Sequence, residues 1–164
     1  FAKKLLQETA LPVAEIAFAA GFGSVRRMNA LFAERYGFSP GTMRQKPGAV
    51  QDSVSLKMAY RPPYDWDAVI HYLKFRAIPG VEGVLQEGDQ LVYWRHLMLH
   101  GHYGSIRIRH DNQTMQLRMD VSAGLSPVLL PLMSRIREQF DLEACPQVIA
   151  EQLAADDLLR QIPR

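Results

Sequence analysis

From Pro12 the apolar residues Val13, Ile16, Ala17 and Ala20 recur at the i, i+3, i+4, i+7 spacing of one helix face. Pro12 suits that helix's first turn and Gly21 its end. After Phe22-Gly23, Ser24 is placed to cap a second helix. In it Val25, Met28, Leu31, Phe32 and Tyr36 are expected to face a core, while Arg26, Asn29, Ala30 and Ala33 form the opposite stripe. Gly37 ends this helix, Phe38 anchors its exit, and Ser39-Pro40 opens a further short helix ending near Arg44. The punctuation predicts helix, tight turn, helix.

Gln45 to Ser53, with Pro47-Gly48 and no apolar period, reads as a linker between independently packed units. Beyond it Val54, Leu56 and Met58 alternate as a half-buried strand that Pro62-Pro63 forbids from continuing. Asp65 caps a helix whose apolar face is Trp66, Val69, Ile70, Leu73 and Ala77, closed by Pro79-Gly80. The period then becomes two. Strands are predicted over Leu91 to Leu99, Tyr103 to Arg109 and Thr114 to Val121, with turns at His100-Gly101 and Asp111-Asn112. Met115, Leu117, Met119 and Val121 should face the core, as should Ile106 and Ile108. Ser126-Pro127 starts a longer helix presenting Leu129, Leu132, Met133, Ile136 and Phe140, with Pro131 expected to delay or kink its first turns. The expected fold class is α+β: a small all-α helix-turn-helix module, then an antiparallel sheet with two helices on one face. The expected boundaries are 1–46, a linker at 47–53, and 54–164.

Charge sharpens this division. Residues 1–50 carry seven Lys/Arg against three Asp/Glu, and the remainder twelve against fourteen. A mildly basic front fits modest attraction to phosphate. The lone Cys145 cannot form an internal disulfide and points to a reducing, cytoplasmic setting; its plainest role is that of a small buried hydrophobe. No run of about 18 apolar residues offers a membrane span, and no signal segment opens the chain. The start at Phe1, already in a helical pattern, suggests a piece of a longer protein.

The stripe on the second helix has the chemistry of major-groove reading. Arg26 can donate bidentately to guanine, Asn29 can pair with adenine, and Ala30 and Ala33 permit close approach, while Arg27 is better placed for phosphate. The expected DNA-contacting set is Ser24, Val25, Arg26, Arg27, Asn29 and Ala30. A solvated amphipathic helix is the bland alternative.

Leu11-Pro12-Val13-Ala14-Glu15-Ile16-Ala17, Ala20-Gly21-Phe22, Phe32, Tyr36-Gly37-Phe38-Ser39-Pro40 and Arg44 together resemble the second helix-turn-helix of the AraC family of transcriptional regulators. The resemblance implies that Ala2 to Thr9 is the end of the helix joining that family's two motifs. Met28 stands where the family favours Phe, and Pro12 where it favours a Ser cap.

A second resemblance follows. Tyr60, Pro62-Pro63-Tyr64-Asp65-Trp66, Arg76-Ala77, Val81-Glu82, Val84, Ser122-Ala123-Gly124-Leu125, Pro127, Phe140-Asp141-Leu142 and Pro146-Gln147-Val148-Ile149 are similar to the N-terminal domain of the DNA-3-methyladenine glycosylase II (AlkA) family. That likeness implies a fold like the TATA-binding protein's repeat, beside a helical domain that carries the helix-hairpin-helix and the catalytic Asp. Some Ada-type proteins place AraC-type motifs before such a glycosylase. The expected activity is thus base excision of alkylated DNA by the parent protein, with double-stranded DNA as partner and RNA polymerase as a second partner of the regulator module. No catalytic residue, metal or cofactor is expected in this chain, and no membrane partner. A non-enzymatic transcriptional regulator is the alternative.

Other constellations are weaker. Ile78-Pro79-Gly80-Val81 has the core of a DNA-gripping hairpin, but Glu82 replaces the expected glycine, so a helix-to-strand turn is favoured. Asp65 and Asp67 suggest an acid-base pair, against which their position at a helix start argues for capping. His96, His100 and His102 have ligand-like spacing without a Cys partner. Arg95, Arg107, Arg109 and Arg118 are expected on the outer sheet face, as a solvated surface rather than a DNA patch.

Overall fold

The computed structural model describes residues 1–43 and 53–155. Four helices come first: α1 (Ala2–Glu8), α2 (Val13–Ala19), α3 (Val25–Tyr36) and α4 (Pro40–Met43). The second part runs β1 (Ser53–Ala59), α5 (Trp66–Arg76), β2 (Glu82–Glu87), β3 (Gln90–Leu99), β4 (His102–Asp111) and β5 (Gln116–Ser122). A 3-10 helix (Ala123–Val128), α6 (Leu129–Gln139) and α7 (Pro146–Ala154) follow. The α+β class is thus observed. The linker expected at 47–53 lies outside the described residues except for Ser53, which opens β1; Arg44 lies outside them too.

The five strands form one antiparallel sheet in the order β1-β5-β4-β3-β2. After edge strand β1, α5 carries the chain across to the far edge, and the meander β2 to β5 returns until β5 pairs with β1. Period-two patterning explains the register. Leu56 opposes Met119, which opposes Ile108, which precedes Tyr93 across the next ladder. All four are fully buried on one face. Ile70 of α5 and Leu129, Leu132, Met133 and Ile136 of α6 complete this core.

The aromatic residues of the Tyr60–Trp66 string form a layer packed against that core, with Trp66 itself buried. Tyr60 stacks on Tyr64 at 4.6 Å between ring centres, and Trp66 stacks on both His110 and Phe140. The Tyr64 hydroxyl donates to the Phe140 carbonyl at 2.9 Å. The peptide between Pro62 and Pro63 is cis. The Ser122–Leu125 string seats the 3-10 helix on the sheet. Ser122 Oγ accepts from the Ser105 amide at 2.9 Å, and a Cβ on Gly124 would stand 2.3 Å from the Tyr103 carbonyl oxygen, so only glycine fits.

Several expectations need correction. Met115 does not begin β5: it sits in the preceding turn with φ +50 and is 51% exposed, so the inward row starts at Leu117. Ser126-Pro127 lies in the 3-10 helix, and α6 begins at Leu129. Of the two effects expected of Pro131 it is the delay that is observed: Pro131 falls in the first turn of the late-starting α6, where the missing N–H would have had no helical partner, and no kink is required. Cys145 is half-buried before α7 rather than enclosed.

The two modules are also not packed independently. α2 lies on the 3-10 helix, and the Lys4 ammonium of α1 donates to the Lys57 carbonyl on the free edge of β1. Leu130 Cδ2 lies 3.3 Å from where a Cβ on Gly21 would stand. One apolar cluster runs from Leu5, Leu6 and Ile16 through to Leu125 and Leu129.

Candidate nucleic-acid interface

Helix α3 is defined at both ends by local chemistry. Ser24 is extended, and its Oγ accepts the Arg27 amide at 3.2 Å. Gly37 takes the left-handed conformation, φ 75, while its amide returns to the Ala33 carbonyl at 2.9 Å. Before it, Gly21 at φ 81 turns the chain out of α2, and the Phe22 amide closes onto the Ala17 carbonyl at 2.9 Å. Sequence thereby fixes where α3 starts relative to α2.

Only Met28 and Phe32 of α3 are buried, one turn apart, with Val25 half-buried against the core. Leu31 is 43% and Tyr36 39% exposed, which corrects the expectation that both face inward. The buried seam of α3 is thus a single turn wide, and it joins the apolar cluster that also holds Ile16, Ala17 and Ala19 of α2. Tyr36 instead packs on Phe32 and stacks with Phe38, itself partly exposed, at the helix exit.

Arg26, Asn29, Ala30 and Ala33 are all exposed, and the helical period gathers them on a single stripe. Arg27 is exposed beside it. Among the described residues neither Arg26 nor Arg27 is held in an ion pair. Arg27, Ala30, Leu31 and Glu34 line an open groove of about 530 Å³ with the turn residues Gly21, Phe22 and Gly23. Leu31 belongs to this surface although its apolarity assigned it to the core. Its i+4 spacing from Arg27 was the signal available. Of the expected contact set, Ser24 is occupied as a cap, Val25 supports the helix, and Arg26, Arg27, Asn29 and Ala30 face outward together.

The other constellations resolve differently. Asp65 Oδ1 accepts the Ala68 amide at 2.9 Å, a helix cap, and Asp67 occupies the same first turn. Ile78 to Val81 forms a turn from α5 into β2, with the Val81 amide bonded to the Ile78 carbonyl at 3.0 Å. His96 packs between Trp94 and Tyr103, while His100 occupies the β3-β4 turn. Arg95 does not join the other arginines: opposite the inward Ile106, it points to the helix-covered side and pairs with Glu82 at 3.3 Å. Arg107 and Arg109 do share the outer face, but Glu87 lies 2.8 Å from Arg107, and Asp120 2.9 Å from Arg109. Those pairs make the face a mixed-charge surface.

Comparison with known proteins agrees with this two-part arrangement. A family model described as the AlkA N-terminal domain matches residues 55–163. The chain belongs to the AlkA N-terminal domain family. Residues 1–46 match a helix-turn-helix domain of the AraC type. Two Mycobacterium tuberculosis proteins, from strains CDC 1551 and H37Rv, are each 31% identical over 170 residues, covering 98% of this chain and 33% of the relative. Each is named a probable bifunctional transcriptional activator/DNA repair enzyme AlkA. DNA-3-methyladenine glycosylase 2 of Escherichia coli K12 is 31% identical over 90 residues, 55% of this chain and 30% of that protein. The chain spans about a third of the length of these relatives. The AlkA-type relatives carrying both functions in their name match across the helix-turn-helix and the sheet domain alike. Among the described residues no helix is long and apolar enough to cross a membrane.

Proposed function

We propose that this chain is the DNA-reading and non-catalytic N-terminal glycosylase portion of a protein that both regulates transcription and excises alkylated bases from DNA. The observation that carries this reading is the outward stripe of α3, with Arg26 and Asn29 exposed on one side of a helix capped at both ends. Those side chains offer the bidentate partners of guanine and adenine, Arg27 reaches phosphate, and Ala30 lets the helix sit deep in the major groove. Ser24 and Val25 hold the helix start rather than reading bases themselves. Double-stranded DNA is the partner of this surface, and RNA polymerase is the partner expected of an activator. Base removal, an N-glycosyl hydrolysis on an extruded nucleotide, is assigned to the remainder of the parent, in the cytoplasm and without a cofactor from this chain.

The test starts from duplexes selected by this chain out of a random pool. Arg26→Ala should weaken binding to the selected site by about 1 to 3 kcal/mol and relax the preference at one base pair. The same protein should release no methylated base from alkylated DNA. Unchanged affinity in the variant would remove Arg26 from the interface, and base release would overturn the division of labour.

A further inference from the structure

The outer face of the sheet, away from α5 and α6, carries three cations in one cross-strand row. Lys57 of β1 stands opposite Arg118 of β5, which stands opposite Arg109 of β4. Like charges directly opposite one another weaken strand pairing, so the row is kept at a cost. Glu87 and Asp120 serve Arg107 and Arg109. Lys57 and Arg118 are exposed and have no ion pair among the described residues. Asp111 senses the charge of Arg118, but its carboxylate accepts the Thr114 amide at 3.2 Å. The mixed-charge part of the face therefore ends at Arg109, and an uncompensated pair of cations lies beyond it.

On the same face the rows from Arg107 onward are aromatic. Trp94 stands opposite Arg107 on one side and Gly83 on the other, His96 opposite Ser105, and Met98 opposite Tyr103. The rings of Trp94 and His96 meet edge to face at 5.4 Å, and His96 lies nearly parallel to Tyr103, 8° between planes at 6.3 Å. Tyr103 is 65% and Met98 72% exposed. A Cβ on Gly83 would stand 3.0 Å from the Trp94 indole nitrogen, so the indole lies against bare glycine backbone. Covering a glycine of the edge strand is reason enough for Trp94. It is no reason for His96, Tyr103 and Met98, which lie outside the core.

We propose that this face is a second DNA surface, which binds unpaired single strands: bases stack on Trp94, His96 and Tyr103 while phosphates meet Arg118 and Lys57. Rows on one face of a sheet are about 7 Å apart, and the Trp94 row directly adjoins the cation row, so rings and charges serve neighbouring parts of one strand. Stacking accepts every base and the cations accept every phosphate, so this chemistry selects a single strand without selecting its sequence. An apolar peptide would leave Lys57 and Arg118 unmatched, and a duplex offers the rings no unpaired base. The proposal goes beyond the reading of duplex DNA by α3 and does not rest on it.

The experiment titrates the intact chain with oligothymidylate of about twelve nucleotides and follows the fluorescence of Trp94, the other tryptophan, Trp66, being buried. Saturable quenching is expected, with an affinity that falls as salt rises, by a slope of about −0.7 for each phosphate contact. Tyr103→Ala should weaken binding about tenfold. Arg118→Glu should weaken it too and flatten the salt slope, yet leave Tm no lower, because it sets an acid between Lys57 and Arg109. A merely structural role for Arg118 would instead lower Tm and leave the salt slope unmoved. Amide shifts caused by the oligonucleotide should map to His96, Tyr103 and Arg118. No saturable quenching, equal quenching by heparin, tighter binding of the matching oligouridylate, or full affinity in both variants would overturn the proposal. Shifts confined to Arg26 and Asn29 would also overturn it, by placing the single strand on α3. Loss of duplex binding in Arg26→Ala bears only on α3, so the two readings fail separately.

Discussion

His110 shows how a single residue of the aromatic layer makes stability depend on pH. It lies on the covered face, with Trp66 stacked 5.6 Å from its ring, and it shares a 2.7 Å hydrogen bond with Tyr60. Burial holds its pKa below the ordinary 6.5, outweighing the opposite pull of Asp111 and Asp67, and burial raises that of Tyr60. Tyr60 therefore donates and the neutral imidazole accepts. With a folded pKa below the unfolded one, the unfolded chain takes up its proton first as pH falls. Stability from this group is full above the unfolded value of 6.5 and is lost as pH drops through the folded value. Urea midpoints measured from about pH 8 down to pH 5 should decline in the native protein and decline less in His110→Phe. Asp111 and Glu143, both held below their ordinary 3.8 and 4.5, act beneath that window. Parallel curves for the two proteins would show that His110 does not titrate differently on folding.

Helix α3 is the element whose boundaries matter most, because they set where Arg26 and Asn29 stand. Ser24→Ala removes the acceptor of the Arg27 amide and should cost about 1 kcal/mol. Gly37→Ala should cost about 1 to 2 kcal/mol even though a Cβ there meets nothing within 4 Å, since the cost lies in the positive φ. Chemical denaturation of both variants checks these values; a neutral Gly37→Ala would mean that the left-handed turn does not persist in solution. Caps and turns of this kind were legible in the sequence because they depend on a few adjacent residues. So was the inward row Val54, Leu56 and Met58, and so was the outward stripe of α3. What escaped depends on partners distant in sequence. Leu31 and Tyr36 were assigned inward because their own pattern cannot reveal which side of α3 the neighbouring helices cover. Arg95 was grouped with Arg107 and Arg109 because the β3-β4 register, which sets Arg95 opposite Ile106, is not written in either strand alone. Met115 continued an alternating row that a left-handed turn residue interrupts.

At the scale of the whole molecule, the continuous apolar cluster makes the helix-turn-helix and the sheet domain one cooperative unit. The placement of both tryptophans makes this measurable. Trp66 and Trp94 lie in the sheet domain, so their fluorescence follows that domain alone, while far-ultraviolet circular dichroism also follows α1 to α4. The two signals should trace the same denaturation curve in the native protein. Leu130, exposed at the start of α6, lies beside the Gly21 turn, its Cδ2 3.3 Å from where a Cβ on Gly21 would stand, and Leu130→Glu places a carboxylate there while leaving the sheet core untouched. The helix-turn-helix should lose about 1 to 3 kcal/mol of support. Its helical signal would then fall at lower denaturant than the tryptophan signal. Separation of the curves already in the native protein would mean that the modules unfold on their own and that the shared apolar cluster does not couple them. Coincidence in the native protein with separation in the variant would locate the coupling at the contact between α6 and the Gly21 turn.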